Sequence, residues 1–228
     1  MTVRDPVLRR QRLEGVGMTS QRARNRLVER LRERGIRHPL VLEALARTPR
    51  HLFMDEALAS RAYEDAALPI GYGQTISQPY IVARMTEALL ADRIPRTVLE
   101  VGTGSGYQAA VLAQIMPKVY TVERIRALSH SAKSVFRELG YHNIHASCRD
   151  GMRGFVEPAP FDAVIVTAAA AGEIPQQLLR QLATGGRLVI PVECGDHQEL
   201  RLVIRSDSGF ESTVLEQVRF VPLLPGAG

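Results

Sequence analysis

The sequence contains no tryptophan, and only two of its 228 residues are cysteines. Cys148 and Cys194 lie far apart and lack a metal-binding spacing, so we expect two free thiols and no metal site. Such thiols are typical of a reducing, cytoplasmic compartment. No apolar run is long enough to span a bilayer, and the Arg-rich segment 1–17 lacks the apolar core of a secretion signal. We therefore expect neither a disulfide-stapled secreted protein nor a membrane partner.

The net charge of +5 is distributed unevenly along the chain. Residues 1–50 contain 13 Arg and 5 Asp or Glu, a balance of +8, whereas the remaining residues have a balance of −3. A basic segment of this kind can contact nucleic acid. However, no aromatic residues alternate with these arginines, as single-strand binding surfaces require. We therefore favour a solvated Arg-rich helix face and expect no nucleic-acid partner.

A glycine-rich stretch at residues 97–107 is the strongest functional signal. An apolar, β-prone run leads into the glycines, and an apolar pattern with helical spacing follows them, which predicts strand, tight turn and helix. Glycines allow the backbone to turn sharply and to approach a ligand closely, and the helix N-terminus offers unpaired N–H groups. We expect this turn to bind a cofactor. Its residues are Gly102, Thr103, Gly104, Ser105 and Gly106.

The spacing of these glycines indicates which cofactor is bound. The dinucleotide fingerprint is G-x-G-x-x-G, but here the third glycine comes one position early, which is typical of S-adenosylmethionine-dependent methyltransferases. A second predicted strand, residues 118–122, ends in Glu123, about 20 positions further on, where an acid can hold ribose hydroxyls. A third is followed by Asp150 and Gly151, and this acid suits an adenine amino group. Without the glycine turn as context, the alternative interpretations are that Glu123 is a solvated carboxylate at a strand end and that Asp150-Gly151 is simply a turn.

The segment before the glycine turn carries the candidate catalytic residue. Residues 67–80 are punctuated by glycine, and Pro79 suits the first position of a helix. Ser77 then lies just outside that helix, where its hydroxyl and free N–H groups can bind an anion. The alternative is that Ser77 only caps the helix.

The remaining patterns define the fold class. Two helices are predicted before Pro49, and the apolar runs 161–167 and 187–192 are typical of buried parallel strands, with a helix between them over 174–182. Residues 200–204 and 213–220 alternate and predict a hairpin. We expect an α/β, doubly wound, mostly parallel sheet with an antiparallel C-terminal hairpin. We assign residues 1–18 to a flexible extension and 19–228 to a single domain, in which 19–66 form an N-terminal helical addition.

From about residue 19 to residue 225, the chain resembles the protein-L-isoaspartate (D-aspartate) O-methyltransferase family. The segment Gln-Thr-Ile-Ser-Gln-Pro at 74–79 is the most specific, since glycine turns are shared by all such methyltransferases. The matching segments are 67–71, 73–79, 98–107, 122–124, 150–151, 161–163 and 219–223. The alanine-rich loop 167–173 and the extension 1–17 depart from the family pattern without touching these motifs.

The resemblance implies a seven-stranded, Rossmann-like methyltransferase sheet. It implies transfer of a methyl group from S-adenosylmethionine to the free α-carboxylate of L-isoaspartyl residues in damaged proteins, with D-aspartyl sites left open. Isoaspartyl-containing proteins and peptides would be the partners, and we expect a monomer. The family's active-site serine maps onto Ser77. Its cofactor residues map onto Gly102, Gly104, Glu123, Asp150 and Gly151, and its peptide side maps onto Thr75, Ile76, Arg219, Phe220 and Val221.

Three alternatives remain from the residues alone. A methyltransferase acting on RNA or on a small molecule would share the cofactor half of the site. The glycine spacing and the roughly 95 residues before the turn disfavour a nicotinamide oxidoreductase. A non-catalytic nucleotide-binding module would bind the cofactor without transferring methyl. No motif supplies a His or Lys base, which agrees with a carboxylate acceptor that is already ionised at neutral pH.

Overall fold

The computed structural model describes residues 13–90 and 93–228. The helices are α1 (Gln21–Glu33), α2 (Pro39–Arg47), α3 (Pro79–Leu90), α4 (Tyr107–Ala113), α5 (Arg126–Leu139) and α6 (Gln176–Arg180). The strands are β1 (Leu68–Gly71), β2 (Gln74–Ile76), β3 (Thr97–Val101), β4 (Lys118–Glu123), β5 (Ile144–Cys148), β6 (Phe161–Val166), β7 (Leu182–Cys194), β8 (His197–Ser206) and β9 (Gly209–Val218). Short 3₁₀ turns are found at Gly17–Thr19, Arg50–Phe53, Glu56–Arg61 and Gly151–Arg153.

Seven strands form one sheet in the order β5-β4-β3-β6-β7-β8-β9. The first five of these strands pair in parallel, and β8 and β9 complete the sheet as an antiparallel hairpin. The chain runs outward from β3 through β4 to β5 and then returns to β6 on the other side of β3. This reversal opens a crevice at the carboxyl end of β3, where ligands bind in such sheets. The predicted fold class is confirmed.

The sheet separates two apolar clusters. On β3, the alternating side chains Val98 and Leu99 belong to different clusters, because successive residues of a strand point to opposite faces. The first cluster joins the N-terminal helices, α3, α4 and α5 to one face of the sheet. The second joins α6 to the other face.

The N-terminal helices agree with the sequence pattern, which predicts a first helix from residue 19 or 20 to Gly35 and a second from His38-Pro39 that ends before Pro49. The Ser20 hydroxyl accepts a hydrogen bond from the Ala23 N–H and caps α1, while Pro39 is the first residue of α2. The expected extension 1–18 lies partly outside the described residues. Within the described part, Arg24 donates to the carbonyl oxygens of Leu13 and Glu14, at 2.7 and 3.0 Å.

Four elements differ from the predictions. Residues 68–76 form a two-stranded antiparallel hairpin, β1–β2, separate from the main sheet. The helix predicted over 174–182 is only the five-residue α6, because Gln181 leaves the helix and its carbonyl accepts the Phe161 N–H at 2.8 Å. The sequence pattern of residues 53–58 predicts one short helical turn, but these residues are divided between two 3₁₀ turns, Arg50–Phe53 and Glu56–Arg61, with 54–55 between them. The last strand, β9, ends at Val218 rather than at residue 220, because the Phe220 N–H and carbonyl pair with the Gln198 side chain instead of continuing the ladder with β8.

Gly106 provides a test of how tightly the glycine turn is packed. This residue precedes α4 with φ +89°, and a Cβ there would lie 2.7 Å from the ring of Phe136. We expect Gly106→Ala to lower the free energy of unfolding by about 2–4 kcal/mol, because left-handed strain and overpacking add. In the matched variant Gly195→Ala, φ is +69° and the space is open. Urea denaturation should show a loss of only ~1–2 kcal/mol for that variant, and equal losses would contradict the packing argument.

Candidate active site

A cavity of about 480 Å³ opens at the carboxyl ends of β3, β4 and β6. Its walls come from the β1–β2 hairpin, the glycine turn, the end of β4 and the segment that follows β9. The predicted site residues in its walls are Thr75, Ile76, Ser77, Gly102, Thr103, Gly104, Ser105, Glu123, Gly151, Arg219, Phe220 and Val221. Asp150 is absent from the lining and adjoins it through Gly151.

The glycine turn forms the floor of the cavity, and a side chain on Gly102 would not fit there. Gly102 has φ +95°, and a Cβ would lie 2.4 Å from the Thr167 hydroxyl oxygen. That hydroxyl donates to the Gly102 carbonyl at 2.6 Å and closes the turn against the end of β6. The Thr103 hydroxyl is buried and lies 2.6 Å from the Thr121 hydroxyl on β4. The turn is therefore held on both sides by threonine hydroxyls.

Glu123, at the end of β4, is tied to the glycine turn. Its carboxylate accepts the Gly104 N–H at 2.8 Å and the Ile125 N–H at 2.9 Å, and the residue is only 6% exposed. Each carboxylate oxygen uses one lone pair in this way and keeps another. Glu123 can therefore still accept hydrogen bonds from a ligand inside the cavity.

Asp150 and Gly151 lie beside the end of β5 and have different environments. Gly151 lines the cavity, and a Cβ there would lie 2.5 Å from Cγ1 of Val101. The Asp150 carboxylate accepts the Met152 N–H at 2.9 Å and caps the short turn that follows. In this arrangement Asp150 caps the turn next to the cavity wall without lining the cavity itself. Its contact with adenine stays a prediction.

Ser77 lines the cavity two residues before α3, as predicted. In the part of the chain that the structure describes, its hydroxyl has no hydrogen-bond partner, and no base is placed to accept its proton. The neighbouring N–H groups differ from the prediction. The Tyr80 N–H donates to Asp65 at 2.8 Å and is therefore not free to bind an anion.

The part of the cavity wall that the resemblance assigns to the peptide is built from two separate segments. Thr75 and Ile76 belong to β2, while Arg219, Phe220 and Val221 follow β9. Gln198 fixes the second segment, because its side chain accepts the Phe220 N–H at 2.6 Å and donates to the Phe220 carbonyl at 3.2 Å.

Arg34, Tyr80 and Glu216 are among the lining residues that were not predicted from the sequence. Arg34 follows α1, lies 3.8 Å from the centre of the Tyr80 ring and forms an ion pair with Asp65. Tyr80 donates to the Glu216 carboxylate at 3.4 Å. Arg34 lies in a segment rich in arginine, so no local pattern distinguishes it from its neighbours. The helical addition therefore contributes directly to the wall of the site.

The sequence profile of the protein-L-isoaspartate(D-aspartate) O-methyltransferase family matches residues 21–227. The chain is 58% identical over 209 residues to the protein-L-isoaspartate O-methyltransferase of Pseudomonas aeruginosa, covering 92% of this chain and 99% of that protein. It is also 58% identical over 212 residues to protein-L-isoaspartate O-methyltransferase 1 of Nitrosococcus oceani, with the same coverage.

The chain belongs to the protein-L-isoaspartate(D-aspartate) O-methyltransferase family. A solved protein-L-isoaspartate O-methyltransferase superimposes with a TM-score of 0.81 at 29% identity, covering 90% of this chain and 67% of that one. A second, the family member of Plasmodium falciparum, has a TM-score of 0.78 at 26% identity, covering 88% of this chain and 98% of that one. The Plasmodium structure holds S-adenosyl-L-homocysteine.

Within this family member, Glu100 is a buried acid that the sequence analysis missed. It lies on β3 two residues before Gly102 and is 0% exposed. Its Oε2 accepts a hydrogen bond from the Thr121 hydroxyl, while Oε1 has no partner among the described residues. The sequence does contain a signal for Glu100, since it is an acidic residue inside an otherwise apolar strand. Acidic residues are almost never fully buried unless they are paired.

Burial raises the pKa of Glu100 to about 8, and the negative charge of Glu123 adds to the shift, although the Thr121 hydroxyl opposes it. An unfolded glutamate titrates near pH 4.5. Between about pH 5 and pH 8, the folded chain therefore keeps a proton that the unfolded chain has lost. The free energy of unfolding must fall as pH rises through this window.

Glu100→Gln tests this linkage, because glutamine keeps the shape of the protonated side chain and cannot ionise. Between pH 5 and pH 8, we expect the variant to lose stability less steeply than the parent, by ~1.4 kcal/mol per pH unit for one proton. Urea denaturation at four pH values measures the slope. The control is Glu211→Gln on β9, an exposed position, which should retain the parental slope. Parallel slopes for Glu100→Gln and the parent would refute the proton at Glu100.

Proposed function

We propose that this chain transfers the methyl group of S-adenosylmethionine to the free α-carboxylate of L-isoaspartyl residues in damaged proteins. Membership of the family supports the reaction. The observation that carries the proposal is that Ser77 and the glycine turn line one cavity, so that a methyl donor and a carboxylate acceptor can meet there.

The residues of the glycine turn fit this cofactor. When bound, S-adenosylmethionine supplies a methyl group attached to a positively charged sulfur. The absence of side chains at Gly102 and Gly104 lets the backbone approach it closely. We assign Glu123 to the ribose hydroxyls, because its oxygens keep free lone pairs inside the cavity. Thr103 and Ser105 complete this wall.

The adenine end of the site is assigned to Gly151 and Asp150. Gly151 offers a flat backbone surface in the cavity wall, since a side chain there would collide with Val101. Asp150 would accept from the adenine amino group with the carboxylate oxygen that does not cap Met152. This assignment requires the Asp150 side chain to reach past Gly151.

Ser77 is assigned to position the acceptor. A carboxylate is ionised at neutral pH and needs no general base, and none is hydrogen-bonded to Ser77 in the described part of the chain. The hydroxyl can donate to one carboxylate oxygen and leave the other free to attack. Catalysis then comes mainly from holding the reacting atoms in line in a site with little water.

The peptide would lie between β2 and the segment after β9. Thr75 and Ile76 form one wall, and Arg219, Phe220 and Val221 form the other. An extended chain held through its main-chain groups tolerates many flanking sequences. This suits an enzyme whose damaged substrates share only the extra methylene of the isoaspartyl backbone.

We further propose a monomer in a reducing, cytoplasmic compartment, with isoaspartyl proteins as partners and no nucleic-acid partner. Both thiols are free, and no described helix is long and apolar enough to cross a membrane. Several arginines of the basic segment are held within the chain. These contacts are Arg24 to Leu13 and Glu14, Arg30 to Tyr63, Arg32 to Glu29, Arg34 to Asp65 and Arg47 to Glu43. The Glu87 carboxylate on α3 accepts the Arg37 and His38 N–H groups at 2.7 and 2.8 Å, and one apolar cluster includes both the N-terminal helices and one face of the sheet. These contacts support one domain over 19–228, with 19–66 as its helical addition.

The reaction is tested with methyl-labelled cofactor and paired peptides containing aspartyl, L-isoaspartyl or D-aspartyl residues. We expect the L-isoaspartyl peptide to be labelled, as a methyl ester that base hydrolyses, and the aspartyl peptide to stay unlabelled. Label on the D-aspartyl peptide shows that D-aspartyl sites are also accepted. An RNA sample run in parallel tests the alternative acceptor. Base-stable label on RNA, with none on isoaspartyl peptide, would overturn the proposal.

Ser77→Ala separates positioning from cofactor binding. Losing one hydrogen bond to a charged acceptor should reduce kcat for an isoaspartyl peptide by about 10- to 100-fold. The Kd of S-adenosylhomocysteine, measured by calorimetry, should change less than about twofold, because a hydroxyl that contacts only the acceptor does not affect binding without it. Ser208→Ala, in the exposed β8–β9 turn, is the matched control. An unchanged kcat for Ser77→Ala removes this residue from the mechanism.

Glu123→Gln tests the ribose assignment. The amide keeps one acceptor for Gly104 or Ile125 but loses the charge, so we expect the Kd of S-adenosylhomocysteine to rise about tenfold or more. Calorimetry measures the affinity, with Glu211→Gln as the control at an exposed position. A Kd equal to that of the parent would rule out the contact with the ribose.

A further inference from the structure

The β1–β2 hairpin forms part of the active-site wall on two sides. Gln74, Thr75 and Ile76 line the cavity on its second strand. On its first strand, Ile70 lies over the glycine turn, since Cδ1 of Ile70 is 3.5 Å from the Cβ position of Gly104. The tip of this hairpin is therefore attached, through both strands, to residues that face the cofactor and the acceptor.

The tip itself is a two-residue turn of Tyr72 and Gly73 between the paired residues Gly71 and Gln74. Both turn residues have positive φ, +54° for Tyr72 and +67° for Gly73, as type I′ turns require. Asparagine or glycine is favoured at the first position of such a turn. A tyrosine there adopts a left-handed conformation at a cost in stability, and Tyr72 is the only non-glycine residue with positive φ among those described.

Within residues 13–90 and 93–228, no contact of the Tyr72 ring compensates for this cost. The Tyr72 side chain is 66% exposed. In the described part of the chain, its ring and hydroxyl make no hydrogen bond, ion pair or ring contact. Only its backbone is held, because the Gln74 amide donates to the Tyr72 carbonyl at 3.3 Å. Strained residues with no structural role of their own are concentrated at functional sites.

We propose that the ring of Tyr72 is a specificity-determining contact for the substrate, packing against an apolar or aromatic side chain next to the isoaspartyl residue. The inference rests on the proposed function and goes beyond it by naming which damaged sequences are preferred. An extended peptide that places its carboxylate at Ser77 passes Thr75 and Ile76 on the same strand. Tyr72 itself lies outside the cavity lining, so it would meet the flanking side chains of a peptide that extends beyond the cavity along this strand.

The experiment compares two isoaspartyl peptides that differ only in the residues flanking the damaged site, phenylalanine in one and glycine in the other. Tyr72→Asn removes the ring and installs a residue suited to the turn, while Tyr72→Phe keeps the ring. For Tyr72→Asn, we expect KM for the phenylalanine peptide to rise about three- to tenfold, KM for the glycine peptide to change less than about twofold, and Tm to equal or exceed that of the parent. Tyr72→Phe should retain parental KM values.

Phe210→Ala is the matched control, because Phe210 is a 46% exposed aromatic near the tip of the β8–β9 hairpin, at the end of β9 opposite to its cavity-lining residues 216–218. It should leave both KM values unchanged. Unchanged KM values for Tyr72→Asn, or an equal rise for both peptides, would overturn the inference while the parent remained active. Failure of the parent to methylate either peptide would overturn the proposed function together with it.

Discussion

The hydrogen bond from the Gly104 N–H to the Glu123 carboxylate is the contact on which the site depends. It joins the turn after β3 to the end of β4 across 19 residues of sequence. Because Glu123 also accepts the Ile125 N–H, it fixes the start of the connection to α5. A single buried carboxylate thus sets the shape of the cavity floor and leaves lone pairs for a ligand.

The helical addition stabilises this floor from the face of the sheet that α4 and α5 also cover. Arg50 is fully buried, lies 4.8 Å from the centre of the Tyr107 ring and donates to the Ala66 carbonyl at 3.3 Å. Burial lowers the pKa of Arg50 to about 10, so the side chain stays charged at neutral pH. Tyr107 opens α4 directly after the glycine turn, and Ala66 precedes the β1–β2 hairpin. Arg50 therefore links the addition to both parts of the active-site wall.

The most predictable parts of the site are those in which local sequence dictates local backbone. The strand, glycine turn and helix over 97–107 follow from apolar periodicity and from three residues without side chains, and Ser77 follows from Pro79 at the start of α3. The β1–β2 hairpin was less visible, because strands of four and three residues are too short for their alternation in burial to be recognised from the sequence. The extent of α6 was also missed, since Gln181 leaves the helix to brace residues distant in sequence, donating to the Arg153 carbonyl and accepting the Phe155 N–H.

The sequence by itself determined the order of strands and helices, the glycine turn and the acids that follow the parallel strands, because these depend on periodicity and on backbone freedom within a few residues. Only the tertiary structure decided that Arg34 and Glu216 join the cavity wall and that Glu100 holds its proton far above the usual range. Burial and charge at a point depend on segments brought together from remote parts of the chain. No local pattern in the sequence shows which of these remote segments meet.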